Sequence, residues 1–292
     1  MLGCARVFVR AAASLSQGTG GQLMTLRPSD MVPVFSHIRQ TDPGGFQVAE
    51  MDDRVVGYAS VIARGSTDFL TQFWVFPALK GKGLGRPLLQ RAFAGVSPQR
   101  GDVRCVYASV DPRAQHLYLS FGMLPRTMIY SMHGEPAKLP AKPRNAVELE
   151  PVSEPGRASR EALALCGRYD RQLRGARRDA DIEFTTKARK ATVFRAKAGG
   201  REVGYLVVAP TGQVGPGGAS HERWMAGLAW AGLRQARRMS DKELVLVIPG
   251  TNRGAVEMAL AARMHNRFPG TWMSQRSILA NERYLPANGI LW

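Results

Sequence analysis

Residues 73–90 read Phe-Trp-Val-Phe-Pro-Ala-Leu-Lys-Gly-Lys-Gly-Leu-Gly-Arg-Pro-Leu-Leu-Gln, and the order of these residue types decides the fold. The aromatic and β-branched run Phe73-Trp74-Val75-Phe76 favours a strand. Pro77 has no N–H for a sheet ladder, so the strand ends or splays there. Lys80-Gly81-Lys82-Gly83-Leu84-Gly85 follows. Leu84, Leu88, Leu89, Ala92 and Phe93 then recur at helical spacing, so a helix begins inside the glycines. Strand, basic glycine turn and helix start make an anion seat. Glycine lets main-chain N–H groups approach a phosphate, and the helix start adds the positive end of its dipole. Lys80, Lys82 and Arg86 add full charges. The alternative is an ordinary glycine turn on a basic surface.

Two common nucleotide motifs are excluded. A triphosphate loop needs Lys-Ser/Thr after its last glycine, whereas Arg86-Pro87 follow Gly85. A dinucleotide fingerprint spaces its glycines G-x-G-x-x-G, whereas Gly81, Gly83 and Gly85 give G-x-G-x-G. Val75-x-Pro77-x-x-Lys80-Gly81-x-Gly83-x-Gly85 resembles the acyl-CoA motif of the GNAT superfamily of N-acetyltransferases, with Lys80 where that family usually has Arg or Gln. A second motif, Ala114-x-x-Leu117-Tyr118-x-x-Phe121-Gly122, is similar to the family's Ala-x-x-Leu-Tyr-x-x-x-Gly-Phe and departs from it only at the end.

The chain has 292 residues, enough for two domains. It is 45% hydrophobic and 22% charged, the balance of a soluble globular protein. The formal net charge of +17 suits an anionic ligand such as CoA, and also nucleic acid. Cys4, Cys105 and Cys166 have neither disulfide nor metal spacing, which fits a reducing, cytoplasmic setting and no metal. No apolar run approaches the ~18 residues of a membrane span, so no membrane association is expected. Met1 to Gly21 carries Arg6, Arg10 and an Ala run but no acid, and reads as a disordered or leader-like N-terminus.

From Gln22 to Gly134 the pattern is β-α-β-β-β-α-β-α-β, with room for little more than one helix before Phe46. Residues 135–146, with Pro136, Pro140 and Pro143, read as a stiff linker. A similar order returns over 147–292, so the fold expected is α/β (α+β), two tandem GNAT-like mixed-sheet domains. Setting Asp111 against Asn252 aligns Tyr118 with Ala259. Val75-x-Pro77 falls on Val214-x-Pro216, and Lys80-Gly81-Lys82-Gly83 falls on Ala219-Ser220-His221-Glu222. The second repeat has lost the phosphate turn and the hydroxyl, and is degenerate. Gln213-Val214 is expected to lead into a turn at Gly215-Pro216-Gly217-Gly218, and Thr271 to Leu279 to close the second sheet.

The resemblance implies acetyl transfer from acetyl-CoA, as co-substrate, to a primary amine on a small molecule or peptide. It implies a cofactor site of Phe73, Trp74, Val75, Lys80, Gly81, Lys82, Gly83, Leu84, Gly85, Arg86, Asp111 and Tyr118. In that reading the N–H near Val75 polarises the thioester carbonyl, Tyr118 is the general acid toward the thiolate, and Asp111 meets the pantetheine arm. An acyl-CoA sensor on the same fold is the alternative. Glu50, Asp52, Asp68 and His116 are candidate bases. Asp181, Glu183 and Arg189 around Phe184 read as a solvated loop, with the lining of an acceptor cavity between domains as the alternative. Arg168, Arg171, Arg174, Arg177 and Arg178, with Lys187, Arg189 and Lys190, read as a solvated basic face rather than a nucleic-acid surface, because few aromatics interleave and acids dilute the field.

Overall fold

The computed structural model describes residues 1–19, 26–96, 103–135 and 139–291. In chain order they form α1 (Leu2–Thr19), α2 (Pro28–Thr41), β1 (Phe46–Met51), β2 (Arg54–Arg64), β3 (Thr67–Val75), α3 (Gly85–Val96), β4 (Val103–Ala108), α4 (Pro112–Leu119) and β5 (Leu124–Gly134). There follow β6 (Glu148–Pro151), α5 (Arg160–Arg174), α6 (Asp179–Arg189), β7 (Thr192–Ala198), β8 (Arg201–Val208), β9 (Gln213–Ala219), α7 (Met225–Met239), β10 (Leu244–Pro249), α8 (Arg253–Ala261), β11 (His265–Asn266), β12 (Gly270–Ser274) and β13 (Tyr284–Leu285). Among the described residues no helix is long and apolar enough to cross a membrane.

The chain divides into two units. The first is Met1–Arg126 with Thr271–Ser277; the second is Thr127–Gly270 with Ile278–Trp292. The boundary therefore differs from a cut at a linker. Unit 1 orders its strands β1-β2-β3-β4-β12, so its last strand comes from the far end of the sequence. β12 pairs antiparallel with β4, Thr271 opposite Ala108 through Ser274 opposite Cys105. Trp272 is buried and stacks on Phe69 at 5.9 Å. Arg126 donates to the carbonyls of Ser274 and Gln275. The strand expected at 271–279 in the second sheet is thus a short strand of unit 1, because an antiparallel partner for β4 has to come from whichever segment reaches it.

The N-terminus also departs from expectation. Residues 2–19, read as disordered or leader-like, form α1, which buries Cys4, Ala5, Val7, Phe8 and Ala11 on one helical stripe. Phe8 meets Trp74 edge-on at 5.0 Å and Phe35 at 6.2 Å. This supplies the second helix for which 22–45 had no room. The strand expected at 22–26 lies, apart from Leu26, outside the described residues. On the other face of the sheet, Ala59, Val61 and Leu70 pack with Leu88, Leu89, Ala92 and Phe93 of α3 and with Tyr118 of α4.

Unit 2 orders its strands β5-β10-β9-β8-β7-β6, with β11 on β5 and β13 on β9. α7 supplies Leu228, Ala229 and Leu233 to its core. The linker expected at 135–146 is docked where it is described: Trp230 Nε1 donates to the Pro140 carbonyl at 3.0 Å. Residues 136–138 of that linker lie outside the described residues. The loop expected around Phe184 is helix α6. The basic face is partly internal: Arg178 and Asp170 form a buried ion pair at 2.7 Å, and Tyr205 donates to the same carboxylate.

Trp272→Ala should remove a buried indole from the sheet of unit 1 at about 3–5 kcal/mol. Thermal unfolding is expected to show the segment 1–126 melting earlier. An unchanged melt would contradict the placement of β12.

Candidate functional site

β3 and β4 are parallel partners only over 67–70 and 103–106. At Thr71 the register of β3 on β2 slips by one residue, a bulge between the Leu70–Val61 and Gln72–Ser60 pairs. A bulge bends its strand and increases its twist, so β3 turns away from β4 while staying on β2 as far as Val75. Phe76 N–H donates to the Val56 carbonyl on β2 at 2.8 Å. Successive N–H groups of a strand point to opposite edges, so Val75 N–H points toward the parted edge. Val75 lies five residues past Leu70, about 16 Å along the strand.

Ordinary strand alternation sets two neighbouring aromatics on opposite faces. Phe73 packs with the α3 and α4 core, and its ring meets Tyr118 edge-on at 6.2 Å. Trp74 faces the other way, onto Phe8, and donates to Gln72 Oε1 at 2.7 Å. Trp74 was expected to line the cofactor; the structure makes it part of the α1 core instead. Phe73 and Val75 both pack on the α3 and α4 side of the strand.

Beyond Pro77 the glycine turn has the form an anion seat needs. Gly81 and Gly83 have φ of +80° and +85°, which glycine adopts without strain. A Cβ at either would meet nothing within 4 Å, so both face open space. Among the described residues, the N–H groups of Gly81, Gly83, Leu84, Gly85 and Arg86 have no main-chain acceptor, whereas Lys82 N–H donates to the Leu79 carbonyl. Gly85 opens α3, and a Cβ there would sit 3.0 Å from Phe73 and 3.1 Å from Leu117. Gly85 is therefore what lets the start of α3 lie against Phe73 and α4. The diphosphate of an acyl-CoA fits this donor set: unpaired amides, a helix start and an exposed Lys82.

Two expected contacts are redirected. The Arg86 side chain reaches Ser120 Oγ at 3.0 Å and lies 5.9 Å from the centre of the Phe121 ring. The Asp111 carboxylate caps α4, accepting from Arg113 N–H at 3.1 Å and from the Arg113 guanidinium, with Lys80 at 3.6 Å. With its oxygens so engaged, Asp111 acts as a cap, and it holds Lys80 beside the turn. Burial works against ionisation of this carboxyl, but the hydrogen bonds from Arg113 and the charges of Arg113 and Lys80 outweigh it and hold its pKa low.

Tyr118 is 5% exposed, and among the described residues its hydroxyl has no hydrogen-bond partner. Burial, reinforced by the Asp111 charge, raises its pKa far above the ordinary tyrosine range, so the phenol is protonated at neutral pH. The candidate bases do not converge on Val75. Asp68 is buried seven residues back along β3, about 23 Å away. His116 is exposed on α4, two residues from Tyr118 and so on another side of the helix. Asp52 sits in the exposed β1–β2 turn, and Glu50 is on β1, separated from β3 by β2. Among the described residues no cluster of His, Cys, Asp or Glu could hold a metal ion.

Unit 2 has the same parting, filled. β10 pairs with β9 only at 245–246 with 213–214. Beside it, Tyr284 and Leu285 of β13 pair antiparallel with Gly218 and Gly217. Asn252, the counterpart of Asp111, caps α8 and donates to the Tyr284 carbonyl at 3.1 Å. The turn expected at 215–218 is therefore a strand: Cβ atoms at Gly217 and Gly218 would strike Leu206 at 2.5 Å and Leu173 at 2.3 Å. These glycines admit neighbouring chain rather than phosphate.

Residues 16–123 match the family model described as Acetyltransferase (GNAT) family. This segment is thus similar to GNAT-family acetyltransferase domains. Similar solved structures cover nearly all of the chain. One is an acetyltransferase-assigned protein from Pyrococcus horikoshii, 16% identical at a TM-score of 0.71 over 99% of this chain and 91% of that one. Another is a GCN5-related N-acetyltransferase from Sphaerobacter thermophilus, 17% identical at 0.59 over 96% and 93%. A third is a tandem GNAT protein from the clavulanic acid biosynthesis pathway, 16% identical at 0.54 over 93% and 94%. No curated protein matches the chain. The chain thus has the tandem GNAT fold.

A carboxyl whose pKa is lower folded than unfolded stabilises the fold above its unfolded value, and that stability is lost as pH falls through the folded value. Asp111→Asn should therefore flatten the acid limb of unfolding below about pH 4. Melts at stepped pH check this; an unaltered limb would contradict the cap.

Proposed function

We propose that unit 1 is an acetyl-CoA-dependent N-acetyltransferase acting on a primary amine of a small molecule or peptide. What supports this is the parting of β3 from β4 beyond Leu70, where strand alternation turns Val75 N–H toward the open edge, together with the open amides of the glycine turn that follows. The amides of 81–86, with Lys80 and Lys82, hold the diphosphate. Val75 N–H donates to the thioester carbonyl and steadies the negative charge that grows on it during attack. The protonated Tyr118 hydroxyl gives its proton to the departing thiolate. Since Asp68, His116 and Asp52 lie away from Val75, the acceptor amine passes its proton to water in this reading. Unit 2, its parting filled by its own β13, is structural. A nucleic-acid partner is not part of this reading, since Arg168, Arg177 and Arg178 of the basic face are held in ion pairs and few aromatics interleave with the rest.

Calorimetry with acetyl-CoA, and turnover on an amine panel, test the reading. Gly83→Val forces a β-branched residue to a φ of +85° and should weaken acetyl-CoA binding about tenfold or more. Tyr118→Phe should keep binding within about twofold and lower turnover about 100-fold. Undiminished turnover in Tyr118→Phe would remove the acid role. Binding with no turnover on any amine would make unit 1 an acyl-CoA sensor.

A further inference from the structure

A concavity of about 410 Å³ lies on the α1 side of unit 1, lined by Arg6, Val9, Arg10, Pro28 and Phe76. Its volume is in the range of sites for small ligands. Phe76 is the residue after Val75, so one wall of this space is a single residue from the N–H assigned to the thioester carbonyl. Strand alternation puts Phe76 on the face of Trp74, opposite Phe73 and Val75. The concavity therefore opens on the side of the strand that the cofactor site leaves clear, the side from which an acceptor can reach the carbonyl.

Two arginines at i and i+4 share one ridge of α1, with their Cβ atoms about 5–6 Å apart. Like charges so placed cost helix stability unless an anion lies between them. Among the described residues, neither Arg6 nor Arg10 has an ion pair or side-chain hydrogen bond. The nearby acid of α2, Asp30, is taken: it accepts from Arg27 N–H at 3.0 Å and faces the Arg27 guanidinium at 3.7 Å. Arg6 and Arg10 are exposed, while the opposite stripe of α1 is buried and fixes the helix on the sheet. The pair is thus held in place, and no carboxylate among the described residues pairs with it. Guanidinium groups match carboxylate and phosphate oxygens with paired N–H donors.

We infer that Arg6 and Arg10 bind an acid group, carboxylate or phosphate, on the amine acceptor and so select anionic amines. This rests on the transferase reading of unit 1. The anionic end stays at the arginines, the apolar wall of Val9, Pro28 and Phe76 lies along its stem, and the amine is presented past Phe76. Both residues are positioning and specificity residues, since they hold the acceptor away from the reacting atoms.

The test uses the full chain and matched acceptors differing in one acid group: alanine against alaninamide, and phosphoethanolamine against ethanolamine. The anionic member of at least one pair should have a kcat/KM about tenfold higher or more, and which pair shows it distinguishes carboxylate from phosphate. Arg6→Ala/Arg10→Ala should abolish that preference through KM, with kcat on the neutral amines unchanged and the melting temperature kept. Arg6→Lys/Arg10→Lys should restore part of it. Equal use of both members, or a preference untouched by the double alanine variant, would overturn the inference while leaving the transferase reading intact. If no amine is acetylated, the transferase reading fails and binding decides the rest. N-acetylalanine should then bind at least about tenfold tighter than N-acetylalaninamide in the parent, and equally in the double variant. Equal binding in the parent would overturn the inference.

Discussion

The separation of β3 from β4 after Leu70 is the constraint on which the rest of unit 1 depends. A parallel pair that ran its full length would use up Val75 N–H in a ladder and leave nothing to donate. The extra residue at Thr71 bends β3 off its neighbour, yet β2 holds it straight enough to carry Val75 to the end. Pro77 then prevents the strand from continuing, and the glycines convert its direction into the start of α3. Gly85 brings that start against Phe73 and Leu117, which places the turn beside α4 and Tyr118. Each part is ordinary; their order along 71–86 gives one open edge with donors at both ends.

Unit 2 shows what the same topology becomes when the edge is closed. β9 and β10 part as β3 and β4 do, but Tyr284 and Leu285 occupy the gap and Asn252 fastens them. An internal strand satisfies there the main-chain groups that unit 1 leaves for a ligand, in keeping with the rule that buried N–H and C=O groups are paired. Loss of the glycine turn and of the tyrosine in this repeat follows, since neither has anything to contact.

Much of this was readable from residues. Pro77, the glycines of 81–85 and the Leu84–Phe93 periodicity specify strand end, turn and helix by local chemistry alone, and the structure keeps all three. What could not be read is where non-local packing decides. Gly215–Gly218 have the composition of a turn, but glycine also serves close approach of chains, and only the positions of Leu206, Leu173 and β13 tell the two apart. Phe73 and Trp74 are neighbours in one aromatic run, and alternation along β3 puts them on opposite faces; only the packing of α1 shows what Trp74 covers. By composition α1 reads as disordered or leader-like, because an Ala-rich, acid-free helix shares that composition. Its stripe of Cys4, Ala5, Val7, Phe8 and Ala11 was the overlooked signal. The origin of β12 in the far half was invisible, as strand pairing order is not encoded in periodicity.

The most direct measurement is amide chemical-shift mapping of the 15N-labelled chain titrated with CoA. The account predicts changes at Val75 and at 81–86, with slowed hydrogen exchange at Gly81, Gly83 and Gly85, and no change at 214–218. Shifts at 214–218, or none at 81–86, would contradict it.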